Sequence, residues 1–261
     1  MSRAVITTDT VVATADGPIL RIEINRPEVR NAIDLPTARA IEAAVDAFEA
    51  DDDLRVAVLH GRGANFSAGM DLKAFAATGE RPVTERRGAL GMVAAPPSKP
   101  IIAVLHGATL GGGFELALAC DLIVMEEGSE VGLPEVTRGL AAGGGGAIRL
   151  PQRIPHHVAL DLVLTGRRMP AAEAERWGLA TRLVPAGQGL QAGLELAAAV
   201  AAAAPLGARA SKQIAVQSRT LTFEEALAAQ EPLMQVVRTS DDAAEGARAF
   251  VERRPPHWSG R

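Results

Sequence analysis

Polar and apolar positions set out the first third of the chain as strands joined by turns. Ile22 and Ile24 alternate with Arg21 and Glu23, the period of two that marks a half-buried strand. The pattern predicts strands at Val11–Thr14 and Ile19–Ile24, with Asp16-Gly17 as the hairpin turn and Asn25-Arg26-Pro27 as the stop. Asp34 has the chemistry of a helix N-cap, and Pro36 suits the first turn. The helix it opens runs to about Ala50, with Ile41, Val45 and Phe48 on one face, and Asp51-Asp52-Asp53 ends it. Val56–His60 is a short apolar strand followed by a glycine-rich loop. Ile101–His106 repeats that scheme and leads into a helix from about Gly113. Leu122–Glu126 is a third such strand. Strands alternating with helices predict an α/β sheet whose loops gather at the strand ends, where sites tend to form. Beyond about Leu190 the strand pattern stops. Helical periods follow over 191–204, 206–218, 223–239 and 241–253, punctuated by Pro205 and Pro232. The chain therefore divides into an α/β body over 1–190 and a helical C-terminal segment over 191–261. That segment packs either on its own body or on a neighbouring subunit.

Composition narrows this picture. Of 261 residues 48 % are apolar but only 3 % aromatic, and Tyr is absent, so the core must be built from Ala, Val, Leu and Ile. A net charge of -4 argues against a nucleic-acid groove. No stretch approaches the roughly 20 apolar residues of a membrane span. Gln191–Ala204 comes nearest, but it is short and holds Glu195. The N-terminus lacks the apolar region of a signal peptide, and the one cysteine, Cys120, permits no intrachain disulfide. A cytoplasmic protein is expected, in which Asn65-Phe66-Ser67 matches a glycosylation acceptor by chance.

Two glycine-rich stretches carry candidate chemistry, Phe66–Lys73 and Lys99–Leu116. Each sets small residues after a strand and before a helix, where unpaired N–H groups and the positive end of the helix dipole face outward. Two such loops can donate two N–H groups to one developing oxyanion, or they can simply be tight turns. Glu115 follows Gly111–Gly113 at the head of an apolar helix. Glu135 follows Pro134 after an apolar segment. Either is a placed acid/base or an ordinary charged residue at a helix start or turn. The five histidines lack metal-ligand spacing, Cys120 suits a small core position, and no GxSxG elbow occurs. Gly143–Gly146 reads as a mobile loop or a helix-start turn open to an anion.

Taken in order, these motifs resemble the crotonase superfamily along nearly the whole chain. The likeness rests on Asn25-Arg26-Pro27 with Asn31-Ala32, on Phe66–Lys73, and on Ile102–Leu122 with its glycine run and Cys120-Asp121. Gly132-Leu133-Pro134-Glu135 with Gly139, Gly178-Leu179-Ala180, and Asp241-Asp242 with Glu245-Gly246 and Ala249-Phe250 complete it. The resemblance implies a spiral of ββα units, a helical C-terminal oligomerisation segment, and homotrimers or dimers of trimers. It implies an oxyanion hole from the backbone N–H groups of Met70 and Gly112, with Glu115 and Glu135 as the acid/base pair. It places Ala68, Met70, Asp71, Leu72 and Lys73 beside coenzyme A, and Arg30 near a phosphate. The reaction implied is reversible syn hydration of a 2-enoyl-CoA, without metal or redox cofactor, coenzyme A being part of the substrate.

Three alternatives stand beside it: a dehydratase for a specialised acyl group such as carnitinyl-CoA, suggested by Met70–Phe75; a double-bond isomerase; and an acyl-CoA-binding protein without turnover. Both carboxylates favour water chemistry, because isomerases of the family can work with one. Met70 stands where many hydratases have Ala, Phe114 where a smaller residue is common, and Ala141-Ala142 where Pro-Gly is frequent. These departures bear on the acyl group, whose pocket residues 74–98 are expected to shape.

Overall fold

The computed structural model describes residues 2–261. Strands β1 (Arg3–Thr7), β2 (Val11–Asp16) and β3 (Ile19–Ile24) form an antiparallel meander, and α1 (Leu35–Ala50) leads to β4 (Val56–Gly61), parallel to β3. After α2 (Leu72–Thr78) come the short ladder of β5 (Val83–Thr84) and β6 (Gly88–Ala89), then β7 (Ile101–Leu105), β8 (Ala108–Leu110) and α3 (Gly112–Ala119). Next are β9 (Leu122–Glu126), β10 (Glu130–Gly132), a 3-10 turn at Pro134–Arg138, α4 (Gly146–Arg149) and α5 (His156–Thr165). The body ends with β11 (Arg168–Pro170), α6 (Ala171–Arg176) and β12 (Arg182–Val184). Four helices close the chain: α7 (Gly189–Ala201), α8 (Pro205–Gln217), α9 (Phe223–Arg238) and α10 (Asp241–Glu252).

The repeating unit sends its first strand into one sheet, its second into another, and then turns into a helix. Thus β7 joins the seven-stranded sheet β1-β2-β3-β4-β7-β9-β12, β8 joins the three-stranded sheet β11-β10-β8, and α3 follows. The next unit repeats this with β9, β10 and the 3-10 turn. An earlier turn of the spiral is reduced to a single bridge, Ser67 to Thr109, between β4 and α2. The fold is α/β, as the sequence pattern predicts, and the ββα spiral is the one the family resemblance implies.

The large core lies between the big sheet and the helices α1 and α3. Along α1 the side chains of Ile41, Ala44, Val45 and Phe48 are fully buried, each large one contributing about 1.5–3 kcal/mol. Asp34 caps this helix by accepting the Thr37 N–H at 2.9 Å. The opposite face of the sheet has its own cluster. There Val56, Val58, Ile102, Val104 and Val124 pack against Ala192, Ala197 and Ala201 of α7. The first helix after the strand-rich region thus folds back on its own body. By contrast α9 buries no residue, and Phe223 and Phe250 are 81 % and 85 % exposed.

Two details differ from the sequence expectation. β1 was not foreseen; it is an edge strand whose pairing to β2 is interrupted by a bulge between Ala4 and Ile6. The first hairpin turns on Gly17-Pro18, because Asp16 is still paired with Ile19. Gly17 takes the positive φ of 53° that the tight turn needs.

Candidate active site

Two chain segments meet where β8 turns into α3. Gly69, at φ 90°, lets the loop after β4 approach so closely that a Cβ there would lie 2.8 Å from the nitrogen of Gly112. A Cβ on Gly112 would in turn lie 3.5 Å from the nitrogen of Met70. The backbone on either side of Met70 is spoken for: Gly69 O accepts from Ile33 N, and Asp71 N donates to Ile33 O. Among the described residues neither the Met70 N–H nor the Gly112 N–H donates to a protein acceptor. Two free donors, one on the loop after β4 and one at the start of α3, are the makings of an oxyanion hole. The side chain of Leu90 closes one side, its Cδ1 3.1 Å from the position of a Gly112 Cβ. Leu90 holds φ 57°, a conformation costly for a bulky residue, so the surrounding fold must impose it.

Glu115 lies in the first turn of α3 and is 5 % exposed. Its Oε1 accepts the N–H of Gly146 at 2.9 Å, at the start of α4. Within the glycine run 143–146, Gly144 and Gly146 therefore serve the chain's own Glu115 carboxyl. A Cβ at Gly144 would stand 2.5 Å from Glu115 Oε2. Burial pushes the Glu115 carboxyl above the usual range, while the N–H groups of Gly146 and Gly144 and the charge of Arg149 pull it back. Arg149 is held nearby by the Val93 carbonyl at 2.7 Å.

Glu135 sits in the 3-10 turn and packs against Gly111, its Oε1 3.3 Å from the position of a Cβ there. Its Oε2 is buried without a partner. Burial raises its proton affinity, its own N–H opposes this, and repulsion from Glu115 adds to it. The charge of Arg138 also opposes the rise at Glu135. The two carboxyls differ in company: Glu115 has the N–H groups of Gly146 and Gly144 and the charge of Arg149, whereas Glu135 has its own N–H, the charge of Arg138 and an Oε2 with no hydrogen-bond partner.

The remaining residues named from the sequence fall into three groups. Ala68, Met70 and Leu72 line a cleft of about 90 Å³ together with Gly112 and Glu135. Lys73 is exposed at the start of α2, and Arg30 is exposed with its carbonyl accepting the Ala68 N–H at 2.9 Å. Asp71 points inward. It caps α2 through the N–H groups of Lys73 and Ala74 and pairs with Arg26 at 3.1 Å. Burial alone would raise its pKa, but the Ala74 N–H, Arg26 and the Lys73 N–H hold it below the usual range. Its carboxylate shapes the loop from inside. Asn31 does likewise at φ 53°, donating to the carbonyls of Arg62 and Asn65 and accepting from the Arg26 N–H.

Among the described residues no group of three His, Cys, Asp or Glu side chains could hold a metal ion. His60 is buried, and burial pushes it down to about 4. Cys120 is fully buried, and burial pushes its thiol up to about 12.

Sequence reasoning missed the parts played by Gly144, Gly146, Arg149 and Leu90. Only the glycine run carried a signal. Gly144→Ala is expected to drive Glu115 off the Gly146 N–H. Since about 1 Å of misplacement can cost 10²-fold in rate, turnover should fall about that much while thermal stability changes little. Unchanged turnover would mean that the contact has no part in placing the carboxylate.

The chain is matched by the enoyl-CoA hydratase/isomerase family model over residues 14–261. It is 41 % identical over 255 residues to a carnitinyl-CoA dehydratase of Salmonella arizonae, covering 95 % of this chain and 97 % of that one. It is 41 % identical over 257 residues, with the same coverage, to the carnitinyl-CoA dehydratase of Proteus mirabilis. The solved structure of enoyl-CoA hydratase from Mycobacterium tuberculosis H37Rv superposes with a TM-score of 0.95 at 46 % identity, over 97 % of this chain and all of the other.

Proposed function

Because the chain belongs to the enoyl-CoA hydratase/isomerase family and is a hydro-lyase of coenzyme-A thioesters, we propose that it adds water across the 2,3 double bond of a 2-enoyl-CoA, or removes it from the 3-hydroxyacyl-CoA, with Glu115 as base and Glu135 as acid. One observation supports the mechanism: the unengaged N–H groups of Met70 and Gly112 share a cleft with Glu135, and Gly112 shares the first turn of α3 with the buried Glu115. The thioester carbonyl would accept both N–H groups, and charge would collect there as C3 is attacked. Glu115, whose negative charge is met by N–H donors and Arg149, would take a proton from water as the oxygen bonds to C3. Glu135, whose unpartnered Oε2 favours the protonated state, would deliver its proton to C2. Water supplies the hydroxyl at C3 and one proton; that proton, left on Glu115, passes to Glu135 directly or by exchange with solvent before the next turnover, so the count closes, and the reverse steps give dehydration. The chain's own groups and water suffice for these steps, and coenzyme A enters as part of the substrate.

The cleft of Ala68, Met70 and Leu72, with Lys73 and Arg30 exposed beside it, supports coenzyme A binding along this edge. The exposed Phe223, Leu227, Val236 and Phe250 of the last two helices support self-association as a trimer or a dimer of trimers. A specialised dehydratase remains the second reading, supported by the carnitinyl-CoA dehydratase relatives. A panel of 2-enoyl, 3-enoyl, 3-hydroxyacyl and carnitinyl thioesters, followed by absorbance of the conjugated enoyl thioester, tests both. Loss of the band with 2-enoyl-CoA is the expected result. Formation of the band from 3-enoyl-CoA alone would replace hydration by isomerisation. Silence on every thioester would sink the enzymatic reading.

A further inference from the structure

A second cavity, of about 520 Å³, shares no lining residue with the cleft of Met70 and Glu135. It lies between the C-terminal end of α3, the segment from Ile148 to Arg153, and α8 with the turn after it. None of Glu115, Glu135, Met70 or Gly112 lines it. Its size falls in the range of about 300–1,000 Å³ typical of small-molecule sites. Apolar surface from Pro96, Leu118, Ile148 and Val216 forms much of the wall, and Ile148 and Val216 are 67 % and 54 % exposed.

The charges around this wall do not balance. Arg149, Arg153, Lys212 and Arg219 face it, with Asp121 as the acid among them. Asp121 is already engaged by Lys212 at 2.6 Å and by the Ile101 N–H at 2.8 Å. Among the described residues no carboxylate stands within ion-pair distance of Arg149, Arg153 or Arg219. Arg153 donates through Nη2 to the carbonyls of Leu118 and Cys120, yet its Nε is buried with no acceptor. Desolvation weakens the hold of Arg149 and Arg153 on their protons, and Arg219 repels both. Arg149 feels the charge of Glu115 and Arg153 that of Asp121, but neither has a carboxylate in contact; half-buried cations without a paired carboxylate are unfavourable, and a buried N–H without an acceptor is rare in folded proteins. An anion with an apolar body matches the apolar wall and supplies the paired charge these arginines lack.

We propose that this cavity binds an aliphatic carboxylate, its chain against Pro96, Leu118, Ile148 and Val216 and its carboxylate at Arg153 and Arg219. The carboxylate could belong to a free acid or to the far end of a thioester's acyl chain. Isothermal titration of the intact protein with decanoate tests this. One decanoate per chain is expected, bound at least about tenfold more tightly than decan-1-ol, a difference a charge-assisted contact supplies. Val216→Trp, which fills the cavity from its rim, and Arg219→Gln should each weaken decanoate about tenfold or more while crotonyl-CoA turnover stays within about twofold. Retention of decanoate under saturating butyryl-CoA assigns the site to a free acid. Displacement by an ω-carboxyacyl-CoA, but not by butyryl-CoA, assigns it to the end of a substrate chain. Three results overturn the proposal: no decanoate binding, equal binding of decan-1-ol, or displacement by butyryl-CoA.

Discussion

Glu115→Gln and Glu135→Gln are each expected to depress hydration of crotonyl-CoA by about 10²–10⁴-fold, the usual worth of one general acid or base. The amide keeps the shape of the carboxyl and removes its proton transfer. Near-normal turnover in either variant would end the assignment. The same variants should be more stable than the parent at neutral pH. Both carboxyls have folded pKa values raised above 4.5, chiefly by burial. A raised acid binds its proton more tightly when folded, so its favourable contribution is complete below pH 4.5 and is lost as pH rises through the folded value. Gln carries no such penalty. Thermal midpoints for Glu135→Gln should therefore exceed the parent's at pH 7 and converge with it below pH 4.5. Glu135 is the better test, because Glu115→Gln also gives up a charge-assisted bond to Gly146. Turnover itself should pass through a maximum with pH, falling on the acid side as Glu115 is protonated and on the alkaline side as Glu135 is ionised.

Gly112→Pro should cost about 10²–10³-fold in turnover, equivalent to about 2.7–4 kcal/mol of transition-state stabilisation, by deleting one oxyanion donor. Position 112 is the first residue of α3, where proline is tolerated because the N–H there has no helical partner. Gly112→Ala is the control. It keeps the N–H and asks only that the flexible end of Leu90, at 3.1 Å, give way slightly. A large loss in the proline variant with a small one in the alanine variant isolates the donor. Equal losses in both would trace the effect to crowding by Leu90 and leave the N–H without a role.

Local rules carried much of the fold. Asp34 and Pro36 announced α1, and the four C-terminal helices lie close to where the apolar period places them. Strands of three residues, β8, β10, β11 and β12, were hidden because three positions cannot show a period. β1 was hidden because its burial is incomplete. At the site, Glu115 and Glu135 were visible through their glycine and proline neighbours. Their difference was not, since Gly146 meets Glu115 across 31 positions of chain and Oε2 of Glu135 is defined by what does not touch it. Asp71 shows the converse. It belongs to a recognisable loop, but its carboxylate is occupied by capping and by Arg26, which only the packed structure reveals.

Cys120 ends α3 with its sulfur fully buried and its thiol pushed up to about 12, 33 positions before Arg153, which donates to its carbonyl. Thiolate is the reactive form, so the native state offers alkylating reagents neither the ion nor access to it. Modification must wait for the end of α3 to part from its surroundings. A single-cysteine chain of this kind carries its own clock for local opening: the labelling rate, divided by that of an exposed thiol, reads the free energy of that excursion directly.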